Sequence, residues 1–350
     1  MSSIASGPRG RGTGGSPVNR FEPVHIEPDP ELGVPRDVRT RIFFDRSRSV
    51  LSRNDSPDIS FETSLNPYRG CEHGCSYCYA RPTHEYLGFS AGLDFETRLI
   101  AKPDAPELLR KALRQPSWRP QVLAMSGVTD PYQPIERQFR ITRQCLEVIR
   151  EHRQPVAVIT KSGLITRDTD LLAELARHRA AQVMVSLTTL DTHLARAMEP
   201  RAAQPRARLR AISELTAAGI PVGVNLAPII PGLNDHEIPA LLAASAAAGA
   251  GWAAFLIVRL PHAVRQLFDD WLALHYPDRR HKVLSRLRAM RNGQLSDPRF
   301  GARMRGSGPF YEQIKDLFEL ARRRAKLSER GPELAIEAFV RRGSRQLSLF

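Results

Sequence analysis

From about residue 61 to residue 262, short apolar runs rich in β-branched residues alternate with longer stretches whose apolar positions recur at helical spacing. The runs fall at 122–125, 156–160, 183–187, 222–226 and 254–258, and the helical stretches between them at 135–152, 168–178, 205–218 and 235–248. Such alternation predicts an α/β fold around a parallel sheet. A first strand near 61–65 brings the number of β/α units to about six. Six units suit a partial (β/α)6 barrel of the TIM-like kind better than a doubly wound open sheet, although spacing alone leaves both open. No G-x-G-x-x-G or Walker sequence follows any of the runs.

The flanks differ from this core, which is placed at 41–262. Residues 1–40 are rich in Gly, Ser, Pro and Arg without periodicity and are expected to be disordered, having too little apolar surface to offset chain entropy. Residues 263–330 read as a basic helical extension, with helices expected at 264–274, 279–290 and 310–327. Residues 331–350 read as a short helix to about 340 and a flexible tail.

Composition adds constraints. The 350 residues are 42% apolar, enough for a substantial core. The formal charge of +14 is concentrated late: residues 279–350 hold 18 Lys and Arg against 7 Asp and Glu, a surplus of +11 that suits a polyanionic partner such as DNA. No stretch approaches the roughly 20 apolar residues of a membrane span, and the N-terminus lacks the apolar core of a signal peptide. A cytoplasmic protein without membrane partners is expected.

Three of the four cysteines, Cys71, Cys75 and Cys78, crowd into one loop spaced C-x3-C-x2-C, with Cys145 far along the chain. This is no disulfide framework and points to metal ligation in a reducing compartment. Three thiolates on so short a loop can hold three irons of a cubane and leave the fourth open as a binding position. Gly70 and Gly74 let the loop turn tightly. The competing reading is a zinc site completed by His73, His84 or Cys145, while Cys145 itself falls among core positions of a helix.

The loop, with Tyr77 before its last cysteine, resembles the defining motif of the radical S-adenosylmethionine (SAM) superfamily. Over about 66–230 the chain is more closely similar to the branch around spore photoproduct lyase and DNA repair photolyase-like proteins. The resemblance is carried by Cys75-Ser76-Tyr77-Cys78-Tyr79, Thr160-Lys161, Glu199-Pro200, Arg208-Leu209, Ala218-Gly219, Gly223 and Ala227-Pro228-Ile229. It implies a radical SAM barrel with a [4Fe-4S] cluster on Cys71, Cys75 and Cys78, and SAM on the open iron through its amino and carboxylate groups. One electron from a donor protein then cleaves the sulfonium and releases a 5′-deoxyadenosyl radical, the cofactor doing the difficult step. It places Tyr77 and Tyr79 near the cluster and the path of hydrogen transfer, Lys161 at the SAM carboxylate, Ser126 and Gly127 at the amine, and Ser186 and Thr188 at the ribose. Tyr77 and Glu199 join the SAM-side residues.

One departure matters. The lyase carries a hydrogen-donating cysteine at the end of the second strand, where this chain reads Met125-Ser126-Gly127-Val128-Thr129-Asp130. Either another group returns the hydrogen atom or the reaction differs. Asp130, Tyr132, Gln133 and Glu136, just beyond, suit either substrate contacts or capping of the next helix.

The resemblance and the charge together favour a radical SAM enzyme acting on a DNA base lesion. The alternatives are a radical SAM enzyme modifying RNA, protein or a small molecule, and a non-catalytic DNA-associated metal-binding protein. The tail Gln346-Leu347-Ser348-Leu349-Phe350 resembles the bacterial sliding-clamp binding motif, which implies a clamp as a further partner. Replacing Leu349 and Phe350 by alanine is expected to abolish clamp binding in an affinity measurement; unchanged affinity removes the reading.

Overall fold

The computed structural model describes residues 8–22, 38–59, 61–125 and 127–342. Ten strands are found among them: β1 (Arg41–Phe44), β2 (Leu51–Arg53), β3 (Thr63–Leu65), β4 (Tyr68–Arg69), β5 (Arg98–Ala101), β6 (Leu123–Met125), β7 (Val156–Thr160), β8 (Ala181–Ser186), β9 (Val222–Ile229) and β10 (Trp252–Ile257). The main sheet runs in the order β10-β9-β8-β7-β6-β3-β2. From β3 to β10 every pairing is parallel, giving the six expected units, and β2 adds an antiparallel edge. A small sheet, β1-β5-β4, stands beside it.

Helices α1 (Asp94–Thr97), α2 (Ala105–Arg114), α3 (Glu136–Phe139), α4 (Ile141–His152), α5 (Thr169–Arg177), α6 (Thr192–Met198), α7 (Pro205–Ala217) and α8 (Ile238–Ala247) connect the strands. Strand alternation explains the layering. In β7, Val156, Val158 and Thr160 are buried while Ala157 and Ile159 face a half-open lumen; β8 repeats this with Gln182 and Met184. Gly223 leaves room for the Trp252 indole, since a Cβ there would lie 2.2 Å from its Cε2.

The helix expected at 135–152 is two helices, broken at Arg140 with φ 54°. Glu136 caps the second, accepting from the backbone N–H of Thr142 (3.0 Å) and Arg143 (3.3 Å). Helices α9 (Val264–His275), α10 (Pro277–Ala289) and α11 (Pro309–Arg324) form the basic extension, and Phe268, Leu284 and Phe318 join the same hydrophobic core as the barrel strands. Ser328 covers the β10 edge, donating to Gly251 (2.9 Å) and accepting from Ala253 (3.1 Å). Beyond Gly331 a single 3-10 turn, Ile336–Ala338, replaces the expected short helix. The backbone there bonds outward instead, Ala335 N–H to Arg179 O (2.9 Å) and Val340 N–H to His152 O (2.7 Å).

Residues 8–22 depart from the expected disorder. Gly12 N–H and Thr13 Oγ1 donate to the two Glu96 oxygens (2.9 and 3.0 Å), and Leu93 N–H reaches Gly15 O (3.0 Å). Buried polar bonds, rather than apolar area, hold this strap on the protein.

Candidate active site

The cysteine loop leaves β4 through Gly70, whose φ of 74° is the left-handed conformation that a turn requires here. Cys71 N–H is held by Phe95 O (2.9 Å), Glu72 N–H by Gln133 Oε1 (2.9 Å) and Ser76 N–H by Met198 O (3.0 Å). The buried Arg81 guanidinium donates twice to Cys75 O (2.9 and 2.8 Å) and pairs with Glu96 (2.5 Å). On the far side of Gly74 lies Gly12, where a Cβ would fall 1.5 Å from Gly74 O. The loop backbone is therefore fixed from four directions without help from its thiols.

All three loop thiols are free, with Cys71 and Cys75 buried and Cys78 half-buried. Burial raises the Cys71 pKa, as do Asp130 and the neighbouring Cys75 and Cys78, so the three thiols lie within each other's field. Three soft thiol donors on one short loop fit an iron–sulfur cluster, which takes one thiolate at each of three irons. Among the described residues no three His, Cys, Asp or Glu side chains are gathered so as to hold a single metal ion. Each histidine that would complete a zinc tetrahedron has one ring nitrogen occupied by another partner, and the remaining cysteine is packed in a helix. His73 Nδ1 faces Asp130 (3.4 Å), His84 Nε2 meets Arg98 O (2.8 Å), and Cys145 is buried in α4.

Beside the loop, four side chains from separate elements converge on Glu199, which follows α6. Tyr77 donates its hydroxyl to Oε1, Thr188 does so at 3.0 Å, the Lys161 ammonium lies 3.4 Å away, and Arg208 of α7 binds Oε2. Arg208 also donates to Ser186 O (3.0 Å). Burial alone would raise the Glu199 pKa, but Arg208 and Lys161, with the Tyr77 hydroxyl, bring it down to about 2. Lys161 keeps further capacity, its ammonium donating to Ala227 O (2.8 Å) and standing 5.8 Å from the Tyr77 ring centroid.

The structure thus brings Tyr77, Lys161, Ser186, Thr188 and Glu199 together at the C-terminal ends of β7 and β8. Tyr79 stands apart, half-exposed at the mouth, its hydroxyl donating to Gly127 O (2.7 Å). Ser126 and the tail residues Gln346, Leu347, Leu349 and Phe350 lie outside the described residues. The acidic and amide group after β6 is spent on structure. Asp130 accepts from Tyr132 N–H (2.8 Å), Thr160 Oγ1 (2.7 Å) and Lys161 N–H (2.8 Å), while Gln133 clamps the loop at Gly70 O (3.2 Å). In the lumen, two residues above Gly223, Asn225 has a buried Oδ1 without a partner. Ile159, Met184, Ala254 and Leu256 leave half-buried apolar surface around it. Such a space can take a flat, partly polar ligand.

Residues 65–244 match the Radical SAM superfamily. The chain belongs to this superfamily. It is 37% identical over 284 residues to an uncharacterised protein of Mycobacterium tuberculosis, spanning 78% of this chain and 82% of that protein. A radical SAM Nα-GlyT isomerase of Pseudomonas phage M6 is 28% identical, over 52% of this chain and 36% of its own length. In fold the chain resembles spore photoproduct lyase complexed with dinucleoside spore photoproduct, with a TM-score of 0.57, 15% identity, and coverage of 81% of this chain and 79% of that one. Membership makes the protein a radical SAM enzyme and implies a [4Fe-4S] cluster and SAM as its cofactors. Among the described residues no helix is long and apolar enough to cross a membrane.

Sequence reasoning passed over Arg81, Glu96 and the N-terminal strap, and it read Gln133 as a substrate contact or helix cap rather than as the loop clamp. Arg208 was visible only as part of a family pattern. A charged residue flanked by apolar ones, as at Ala80-Arg81-Pro82, was the available signal of a buried ion pair.

Proposed function

We propose that this radical SAM enzyme acts on a base in nucleic acid, a DNA lesion in particular, with Cys71, Cys75 and Cys78 holding the cluster. The observation that carries the reading is a set of cationic side chains around Tyr79 and the segment between β2 and β3, supplied by the basic extension and by the end of β10. Arg303 Nε binds Asp58 Oδ2 (2.5 Å) in the segment between β2 and β3, Gly301 N–H binds Asp58 Oδ1 (2.6 Å), and the Arg259 guanidinium lies 5.6 Å from the Tyr79 ring centroid. Cationic side chains at a lumen mouth suit a phosphate backbone, from which a base must leave its stack to enter. The dinucleoside bound to spore photoproduct lyase is consistent with such a substrate.

Cluster and SAM, once bound, supply a one-electron route to a carbon-centred radical that abstracts a hydrogen atom, the electron coming from a donor protein. The chain's own residues then position and enclose. Lys161 would offer its ammonium to the SAM carboxylate, Gly127 would meet the amine, as the family resemblance also implies for Ser126, and Ser186 and Thr188 would line the ribose side. Glu199 keeps Tyr77 and Lys161 in place. Tyr79, half-exposed and bonded through its hydroxyl only to the Gly127 carbonyl, is more open to a substrate radical than Tyr77, which is buried against Glu199.

The test is anaerobic reconstitution followed by SAM cleavage with and without ultraviolet-damaged DNA. Damaged DNA is expected to raise turnover. If about three phosphates are contacted, affinity for a single strand should fall roughly tenfold or more between 50 and 200 mM salt. Cleavage indifferent to DNA would shift the substrate to RNA, protein or a small molecule, and no cleavage after cluster reduction would favour a non-catalytic metal-binding protein.

A further inference from the structure

The mouth carries more cation than its carboxylates neutralise. Asp58 is taken by Arg303, and Asp297 by Arg299 (2.7 Å). Arg259 and Arg291 are left without a carboxylate partner among the described residues. Arg291 is 4% exposed, donates to Val258 O (2.5 Å) and Leu295 O (2.7 Å), and has a buried Nε with no partner. Through Val258 it fixes the backbone immediately before Arg259. Among the described residues the half-buried Arg259 guanidinium has close contacts with the Met304 Sδ (3.0 Å), a weak acceptor, and the face of Tyr79, while Asp58, already paired with Arg303, acts on it from farther off. Burial, together with Arg303, lowers the Arg259 pKa, the response of a cation short of counter-charge. A desolvated guanidinium keeps such a place at a cost unless an anion completes it.

We propose that Arg259 binds a phosphate of the substrate at the lumen mouth, against the face of Tyr79. The proposal rests on the nucleic-acid reading and deepens it by naming the residue that fixes the strand. A planar guanidinium fork can take two phosphate oxygens at once, and an adjoining ring face can support the neighbouring base or sugar. Held by Arg259, the backbone sets which nucleotide hangs over the lumen, where Asn225 Oδ1 still lacks a donor.

Fluorescence anisotropy of a labelled oligothymidylate, followed across a salt series, tests this on the full-length, cluster-loaded protein. Arg259→Met is expected to weaken binding about tenfold, the loss of one charge-assisted contact. The slope of log affinity against log salt should become shallower by about 0.7. Arg259→Lys should recover the slope but only part of the affinity, because a point charge replaces the fork; it also serves as the readout if the methionine variant does not fold. Unchanged affinity and slope in both variants overturn the proposal. If the wild type does not bind the oligonucleotide, the nucleic-acid reading fails on its own account. Pyrophosphate then decides the anion site: thermal stabilisation of the wild type and not of Arg259→Met supports it, and equal responses overturn it.

Discussion

Replacing Glu199 by glutamine is expected to destabilise the protein by about 3–5 kcal/mol, the usual consequence of removing one partner from a buried ion pair. Glu199 is fully buried, and two cations, Arg208 and Lys161, depend on it. Glutamine can still meet the Tyr77 and Thr188 hydroxyls but neutralises neither cation. The pKa leads to a similar magnitude: a carboxyl held at about 2 against an ordinary 4.5 corresponds to about 3 kcal/mol. The depressed value fixes the sign. Above the ordinary value the folded and unfolded carboxyls are both ionised and the stabilisation is complete; as pH falls from about 4.5 to about 2 the unfolded chain takes up the proton first, and the stabilisation is lost. Urea unfolding of the wild type should therefore weaken across that window, and Glu199→Gln should lack this component. A variant within 1 kcal/mol of wild type at pH 7 would mean that Glu199 does not organise the strand ends.

The parts of the fold legible in the sequence are those set by periodicity. The β-branched runs became β6 to β10 because burial on the helix side and half-burial on the lumen side impose the period that such runs display. What periodicity cannot register is a break that leaves the apolar pattern in phase. Arg140 takes a left-handed conformation between α3 and α4, yet apolar positions continue through 135–152, so the stretch read as one helix. The strap at 8–22 was invisible for a different reason. Its composition is that of an unfolded chain, and what holds it is a set of hydrogen bonds to Glu96 with a glycine placed where backbone meets backbone. The site divides likewise. Cysteine spacing exposed the loop, and the capping role open to Glu136 was local, whereas the use of Asp130 and Gln133 depended on contacts 30 to 63 residues away in the chain, which local pattern does not encode.

Replacing Cys75 by alanine should empty the cluster site while leaving the loop in place. The Cys75 carbonyl, not its thiol, anchors the loop, through two bonds from Arg81, and the Ser76 N–H adds a third to Met198. Removing the sulfur therefore removes a metal ligand without removing a backbone support. After anaerobic reconstitution, iron should fall from about four atoms per chain to near zero, with loss of the cluster's visible absorption and of SAM cleavage. The far-ultraviolet circular dichroism should be that of the wild type. Cys145→Ala gives the opposite signature. Its thiol is buried in α4 among core side chains, so the change should cost about 1–2 kcal/mol of stability while the iron content stays at the wild-type level. Loss of metal in Cys145→Ala, or its retention in Cys75→Ala, would revive a tetrahedral zinc site and remove the basis for radical chemistry at this loop. Wild-type protein reconstituted alongside separates the cases, since a fault in reconstitution would deplete it too, whereas a ligand role for Cys145 would deplete only the variant.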